Sequence, residues 1–392
     1  MDTNLSIIYI STLFLLLASS IIAQPVVFDI TKYGGAPNGD LTSSLERAWK
    51  EACASTSASK VLVPKNSYNL RQIELNGPCK APIELHIEGN IAAPENPNQF
   101  DGDAQWVRFG YIDSFTLSGG ATFDGKGSMA WRQNNCHQTW NCKKLSMNFG
   151  FSFMNNSIIQ HITSKHSKNF HVNVLSCRNI TFSKFIIEAP AESPNTDGIH
   201  IGRSTQVKIL DSVIRTGDDC ISLGDGSRQV SIENVTCGPG HGISVGSLGK
   251  YENEELVEGL IVKNCTFIDT DNGVRIKTWP GTSIKIPVSQ LRFENLVMIN
   301  VTNPIIIDQE YCPWNQCSKQ TPSKVQISRV SFKNIRGTST TKEGMILICS
   351  SSVPCEKVKL TNIDLKFNGT PTIATCKNIK PQVFGKVPTC TP

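Results

Sequence analysis

The sequence predicts an all-β chain, a single right-handed parallel β-helix with a short helix closing its N-terminal end. Three observations carry this. Alternating, β-branched runs recur with no helical pattern between them: "VNVLSCRNITFSKFII", "VKILDSVIR", "VSIENVTC", "LIVKNCTFID", "LRFENLVMI" and "VKLTNIDLKF". A second theme, "DGIHIG", "DCISLG", "HGISVG", "NGVRIK" and "NPIIID", alternates with the first. The repeat spacing is that of a solenoid, in which a coil of roughly 20–30 residues holds about three strands. A β-sandwich is the competing architecture, but the two-residue glycine turns its hairpins would need are few.

Taken from the N-terminus, "MDTNLSIIYISTLFLLLASSIIAQ" is an apolar run ending in small residues. It reads as a secretory signal peptide over residues 1–23, cut near Ala23, although its start carries Asp2 and no Lys or Arg. A membrane anchor is the alternative, and the apolar core is short for a span. The mature chain, 24–392, is then one β-helix domain. In "SSLERAWKEAC", Ser43 and Glu46 have the spacing of a capping box. The helix that follows puts Leu45, Trp49 and Ala52 on one face, suited to covering the open end of the tube.

The first theme carries a polar residue between its runs: Asn179, Asp211, Asn234, Asn264, Asn295 and Asn362. In the second theme the inward positions are Ile199, Ile221, Ile243, Val274 and Ile305, and two residues on Ile201, Leu223, Val245, Ile276 and Ile307. These are stacked aliphatic columns. All fourteen cysteines follow the leader, which in an oxidising compartment points to disulfides. Candidate pairs are Cys312/Cys317, Cys349/Cys355, Cys220/Cys237, Cys136/Cys142, Cys376/Cys390 and Cys53/Cys79, leaving Cys177 and Cys265 as core thiols. There is no CxxC pair, so zinc has little support and no metal or other cofactor is expected. Sequons at Asn155, Asn179, Asn234, Asn264, Asn300 and Asn368 agree with secretion. The net charge of +5 is modest and implies no nucleic-acid partner; a polyanionic ligand is implied only where the basic residues converge.

Asp197 to Asp219 is 22 residues, and so is Asp219 to His241. If each coil is one repeat, these side chains stack on strands about 4.8 Å apart, with Asp218 beside them. The outward column of His200, Ser222 and Ser244 reaches Arg275. That of Gly202, Gly224 and Gly246 reaches Lys277. A floor of glycines ending at a cation suits a long, negatively charged ligand. Carboxyls so close cannot all ionise cheaply, so at least one pKa should rise and leave a proton donor beside an acceptor. That is the apparatus of glycoside hydrolysis. Arg275 and Lys277 suit a sugar that carries a carboxylate.

"NTD" (195–197), "GDD" (217–219), "GHG" (240–242) and "RIK" (275–277), in this order, resemble the signature segments of the polygalacturonases of glycoside hydrolase family 28. "DQEYCPWNQC" (308–317) and "SVGSLGKY" (244–251) resemble the plant, especially pollen, exopolygalacturonases. The resemblance covers nearly the whole mature chain. It implies a right-handed parallel β-helix and inverting hydrolysis of α-1,4-galacturonosyl bonds in de-esterified pectin. By matching motif positions it implies Asp218 as general acid, and Asp197 and Asp219 as holders of the attacking water. His241 would tune Asp218 or help bind sugar, and Asn195, Arg275, Lys277 and Tyr311 would bind substrate. It further implies a secreted monomer acting in the plant cell wall. Single-rung spacing puts Asp197 and Asp219 closer than the roughly 6.5–9.5 Å of an inverting pair, so Asp218 must point away from its neighbour. "WRQNNCHQTWNCKK" (131–144) is a candidate wall that would make the enzyme exo-acting from the non-reducing end. An endo-acting enzyme, a pectate lyase, a rhamnogalacturonan hydrolase and a non-catalytic pectin-binding solenoid are the alternatives.

Overall fold

The computed structural model describes residues 24–101, 105–134, 145–313 and 317–391. The leader, the Cys136/Cys142 pair and most of the candidate wall therefore lie outside the described residues.

The chain winds as a parallel β-helix with three faces, right-handed as successive parallel strands require. One face is a twelve-stranded sheet running from Ile73–Asn76 to Cys390–Thr391, and every register along it is parallel. The other two faces merge into one sheet because Pro287–Val301 and Gln326–Ser339 are long enough to run across both.

The aliphatic columns form as the alternation demands. Ile199, Ile221, Ile243, Val274 and Ile305 pair in sequence, and so do Ile201, Leu223, Val245, Ile276 and Ile307. All ten are buried. Toward the N-terminus the same columns become aromatic. Phe149 and Phe151 pair with Val172 and Val174, Phe151 stacks on Phe109 at 5.3 Å, and Phe182 meets Phe151 edge-on at 5.6 Å. Phe151→Ala would empty a site that coil-to-coil stacking holds open, so we expect a loss of about 3–5 kcal/mol, read by denaturant titration.

The period is less regular than the site region implies. Inward residues step by 22 from Ile199 to Ile221 to Ile243, then by 31 to Val274 and again to Ile305, then by 40 to Met345. The added residues sit in the turns between faces, where they do not disturb the columns. The polar positions also need one correction. Asp211, Asn234, Asn264, Asn295 and Asn362 share a left-handed turn with φ of 49–57°, which Asn and Asp tolerate. Asn334 joins them, and the amides bond from coil to coil: Asn234 to Asp211 at 3.0 Å, Asn334 to Asn295 at 3.0 Å. Asn179 instead lies at the start of its strand, in a neighbouring ladder where it donates to Asn156.

The capping helix spans Thr42–Ala54 and buries Leu45, Trp49 and Ala52. Trp49 lies 5.9 Å from Phe115 and 6.3 Å from Phe109, which closes the tube end. Its cap differs from the expected box. The helix starts at Thr42, so Ser43 falls inside it, and the Asp40 carboxylate accepts from the Thr42 amide at 2.9 Å. An earlier aspartate had a better approach to the free N–H groups. Disulfides join Cys53–Cys79, Cys220–Cys237, Cys312–Cys317, Cys349–Cys355 and Cys376–Cys390, while Cys177 and Cys265 are free and buried. Among the described residues, no helix is long and apolar enough to cross a membrane.

Candidate active site

The twelve-stranded face carries the acids. The register Ile199↔Ile221↔Ile243 puts Asp197, Asp219 and His241, two residues before each, at equivalent places on successive coils. Asp197 and Asp219 reach forward in the same way. Asp197 Oδ2 accepts from Ser222 Oγ at 3.0 Å, and Asp219 Oδ1 accepts from Ser244 Oγ at 2.7 Å, each 25 residues on.

The two then diverge. Asp219 Oδ1 also accepts from the Arg275 guanidinium at 2.8 Å, and its Oδ2 from Lys277 Nζ at 2.9 Å. The two cations are thus not free in the trough, as their place in the sequence implied; they clamp a carboxylate. Burial alone would raise the Asp219 pKa, but the charges of Lys277 and Arg275 outweigh it and hold the group below the usual carboxylate range. Asp197 has no such partner. Burial, then the charges of Asp218 and Asp219, push it well above that range.

Asp218 points elsewhere. Its Oδ1 faces His241 Nδ1 at 3.0 Å and accepts from the Asp219 amide at 2.8 Å, while Asn195 Nδ2 approaches Oδ2 at 3.5 Å. Its side chain is 22% exposed against 4% for Asp219. His241 is held by its amide donating to the Asp218 carbonyl at 2.7 Å, and its Nε2 lies 3.3 Å from Asp271. The hydrogen bond to Asp218 raises its pKa above the ordinary imidazole value against the effect of burial. His241 therefore serves Asp218, not its column neighbour Asp219. Tyr311 lies under Lys277, whose Nζ is 5.5 Å from the ring centre, and Trp279 meets Tyr311 edge-on at 5.7 Å.

All eight residues singled out from the sequence are brought together. The expectation that needs refining concerns the raised carboxyl. It is Asp197, the buried one, whereas the acid role implied by the motif falls on Asp218, the accessible one. Asp197 and Asp219 are shifted in opposite directions side by side, which keeps a proton on the buried Asp197 next to an ionised Asp219. Sequence reasoning missed Asp271 and Trp279. Each lies within six residues of "RIK", but nothing in a lone Asp or Trp marks it. Asp218, Asp219 and His241 could present ligand atoms within 4.8 Å of one another. Both Asp219 oxygens are already occupied by cations, so the donor set is spent without a metal.

The glycine floor has a steric reason. A Cβ on Gly224 would come within 3.3 Å of His200 Nε2, and one on Gly246, at φ +100°, within 2.2 Å of the Lys277 carbonyl.

The opposed shifts have a testable consequence. The contribution of Asp197 to stability is complete below its unfolded pKa and is lost as pH rises through the raised folded value; that of Asp219 is present above its unfolded pKa and is lost as pH falls through the lowered one. Asp197→Asn is expected to gain in melting temperature relative to wild type from pH 4 to pH 7, followed by calorimetry. A constant difference would remove the raised proton from Asp197.

Residues 53–390 match the family model described as glycosyl hydrolases family 28. The chain is 57% identical over 381 residues to a polygalacturonase of Medicago sativa, covering 96% of this chain and 90% of the relative. It is 53% identical over 350 residues to an exopolygalacturonase of Oenothera organensis, covering 88% and 96%. Among solved structures, the endo-xylogalacturonan hydrolase of Aspergillus tubingensis superposes with a TM-score of 0.82 at 22% identity, covering 93% of this chain and 99% of that one. A Thermotoga maritima exopolygalacturonase gives 0.72 at 15%, covering 93% and 91%. These two likenesses speak to the fold. With the family match over most of its length and relatives above half identity, the chain belongs to the glycosyl hydrolases of family 28.

Proposed function

We propose that this protein hydrolyses α-1,4-galacturonosyl bonds of polygalacturonate with inversion, releasing galacturonate from non-reducing ends. The observation that carries the reading is the division of labour among three adjacent carboxyls. Asp219 is clamped as an anion by Arg275 and Lys277, Asp197 is buried beside it, and Asp218 alone opens to the groove. Asp218 donates the cluster's proton to the leaving glycosidic oxygen. His241 and the Asp219 amide, both on Oδ1, leave Oδ2 to face the substrate. Asp197 and Asp219 hold the water that attacks from the opposite side of the sugar, and its proton passes to this pair. Once Asp218 has given up its proton, its new negative charge makes neighbouring Asp197 the better acceptor for the proton released by the water. Asn195, Tyr311 and the outer edges of Arg275 and Lys277 hold the uronate. The polymer is met outside the cell, in the wall, by a single secreted chain.

A lyase needs a strong base to abstract a carbon-bound proton, and the two cations on Asp219 make that carboxylate a weak one. The exo mode is supported by similarity to exopolygalacturonases, those of Oenothera organensis and Platanus acerifolia among them. Time-resolved product chromatography on polygalacturonate tests the whole reading. Monogalacturonate from the first time points is expected. Early mixed oligomers would make the enzyme endo-acting, and unsaturated products absorbing in the ultraviolet would make it a lyase.

A further inference from the structure

A second groove lies on a different face of the tube, near its C-terminal end. It measures ≈ 610 Å³ and is built on three successive coils, from strands Pro287–Val301, Gln326–Ser339 and Lys359–Phe367. Four cations line it: Arg292, Arg329, Lys357 and Lys359. All four are exposed, and none forms an ion pair among the described residues. Some exposed cations elsewhere are paired, as in Arg203–Asp225, Arg228–Glu255, Lys377–Glu310 and Lys386–Asp364. Here the solenoid has set cations above cations.

Their order follows from the register. Arg292 pairs through Ser331 to Lys359 and on to Gln382. Alongside runs a second column of left-handed positions, Gln290, Arg329 and Lys357, with φ of 60°, 53° and 53°. Both columns line the groove. Arg329 is steadied by donating to Ser289 Oγ at 3.1 Å. Each coil thus adds at least one positive charge, and coils are about 4.8 Å apart. No acid forms an ion pair with the row among the described residues. Glu258 is engaged by Gln290 Nε2 at 3.4 Å, at one end of the groove, and Glu356 precedes Lys357 in the turn.

A row of cations along the tube axis fits an extended chain with one carboxylate per sugar. We propose that this groove is a non-catalytic binding site for a polyuronate strand, by which the enzyme holds onto polymer while the catalytic face works. The proposal rests on the reading of the substrate as polygalacturonate. Exposed charge pairs are individually weak. Several on one extended ligand add, and tethering raises the local concentration of chain ends at the other face.

The test replaces all four residues together (R292Q/R329Q/K357Q/K359Q). In an Asp218→Asn background, which binds without turnover, retention on immobilised polygalacturonate at low salt is expected to weaken about tenfold, with a shallower salt dependence. In the active background, kcat/KM on polygalacturonate is expected to fall while turnover of trigalacturonate, too short to reach both faces, stays at the wild-type value. Unchanged retention by the quadruple variant would overturn the proposal, and so would equal wild-type retention on fully methyl-esterified pectin. Equal competition by polyphosphate would overturn the assignment to uronates. An unaltered thermal melt shows that the fold is intact, and trigalacturonate turnover by the wild type reports on the hydrolase reading independently of the groove.

Discussion

Asp218→Asn is expected to lower kcat on polygalacturonate by about 10²–10⁴-fold, the range over which a positioned general acid contributes. The amide keeps the shape of the side chain and can still meet His241 at Oδ1, but it has no proton to give. Binding of galacturonate oligomers should change little, because the cations and Tyr311 are untouched, so the loss should fall on kcat and leave KM nearly as it was. A substrate with a leaving group that departs without protonation should recover much of the lost rate. If Asp218→Asn keeps most of its activity and Asp197→Asn loses it together with that recovery, the acid is Asp197, the carboxyl whose pKa burial raises.

Lys277→Met is expected to have the largest combined effect on folding and activity. Its side chain is 9% exposed, and its ammonium sits 2.9 Å from an aspartate whose side chain is 4% exposed. Removing one member of a buried pair leaves the other's charge short of compensation, at a cost of about 3–5 kcal/mol. Arg275 remains on Oδ1, which places the expected loss at the lower end of that range. With the larger of its two opposing charges gone, Asp219 no longer resists the pull of burial, and its pKa rises. The carboxyl that should stay ionised then competes for the cluster's proton, and the acidic limb of the pH–rate profile should move to higher pH. Lys277→Arg tests whether charge alone suffices; recovery of stability without recovery of kcat would show that the compact ammonium is also needed for positioning. A wild-type melt and a wild-type acidic limb for Lys277→Met would remove Lys277 from the control of Asp219.

Much of this was legible because a parallel solenoid converts sequence distance into spatial order. Twenty-two residues per coil is enough to align Asp197 with Asp219 and His241, and alternation within each run is enough to say which side chains face the core. The helix cap was misread because several residues near a helix start can accept an N–H, and the competition between Asp40 and Ser43 is settled only by where the chain enters. Asp271 and Trp279 were not legible because neither repeats a residue type from coil to coil: Asp271 lies three residues before inward Val274, where the preceding coil has Gly240, and Trp279 follows the strand on its own.

The amino-acid order by itself determined the columns: which residues fill the tube, and which acids share the groove side. Only the tertiary structure decided what Asp218 and Asp219 become. As neighbours in a chain whose side chains alternate, they must diverge, but the sequence does not say which one meets the two cations arriving from two coils further on. The one turned inward is clamped as an anion. The other is left at the water's edge, where a proton can reach a substrate.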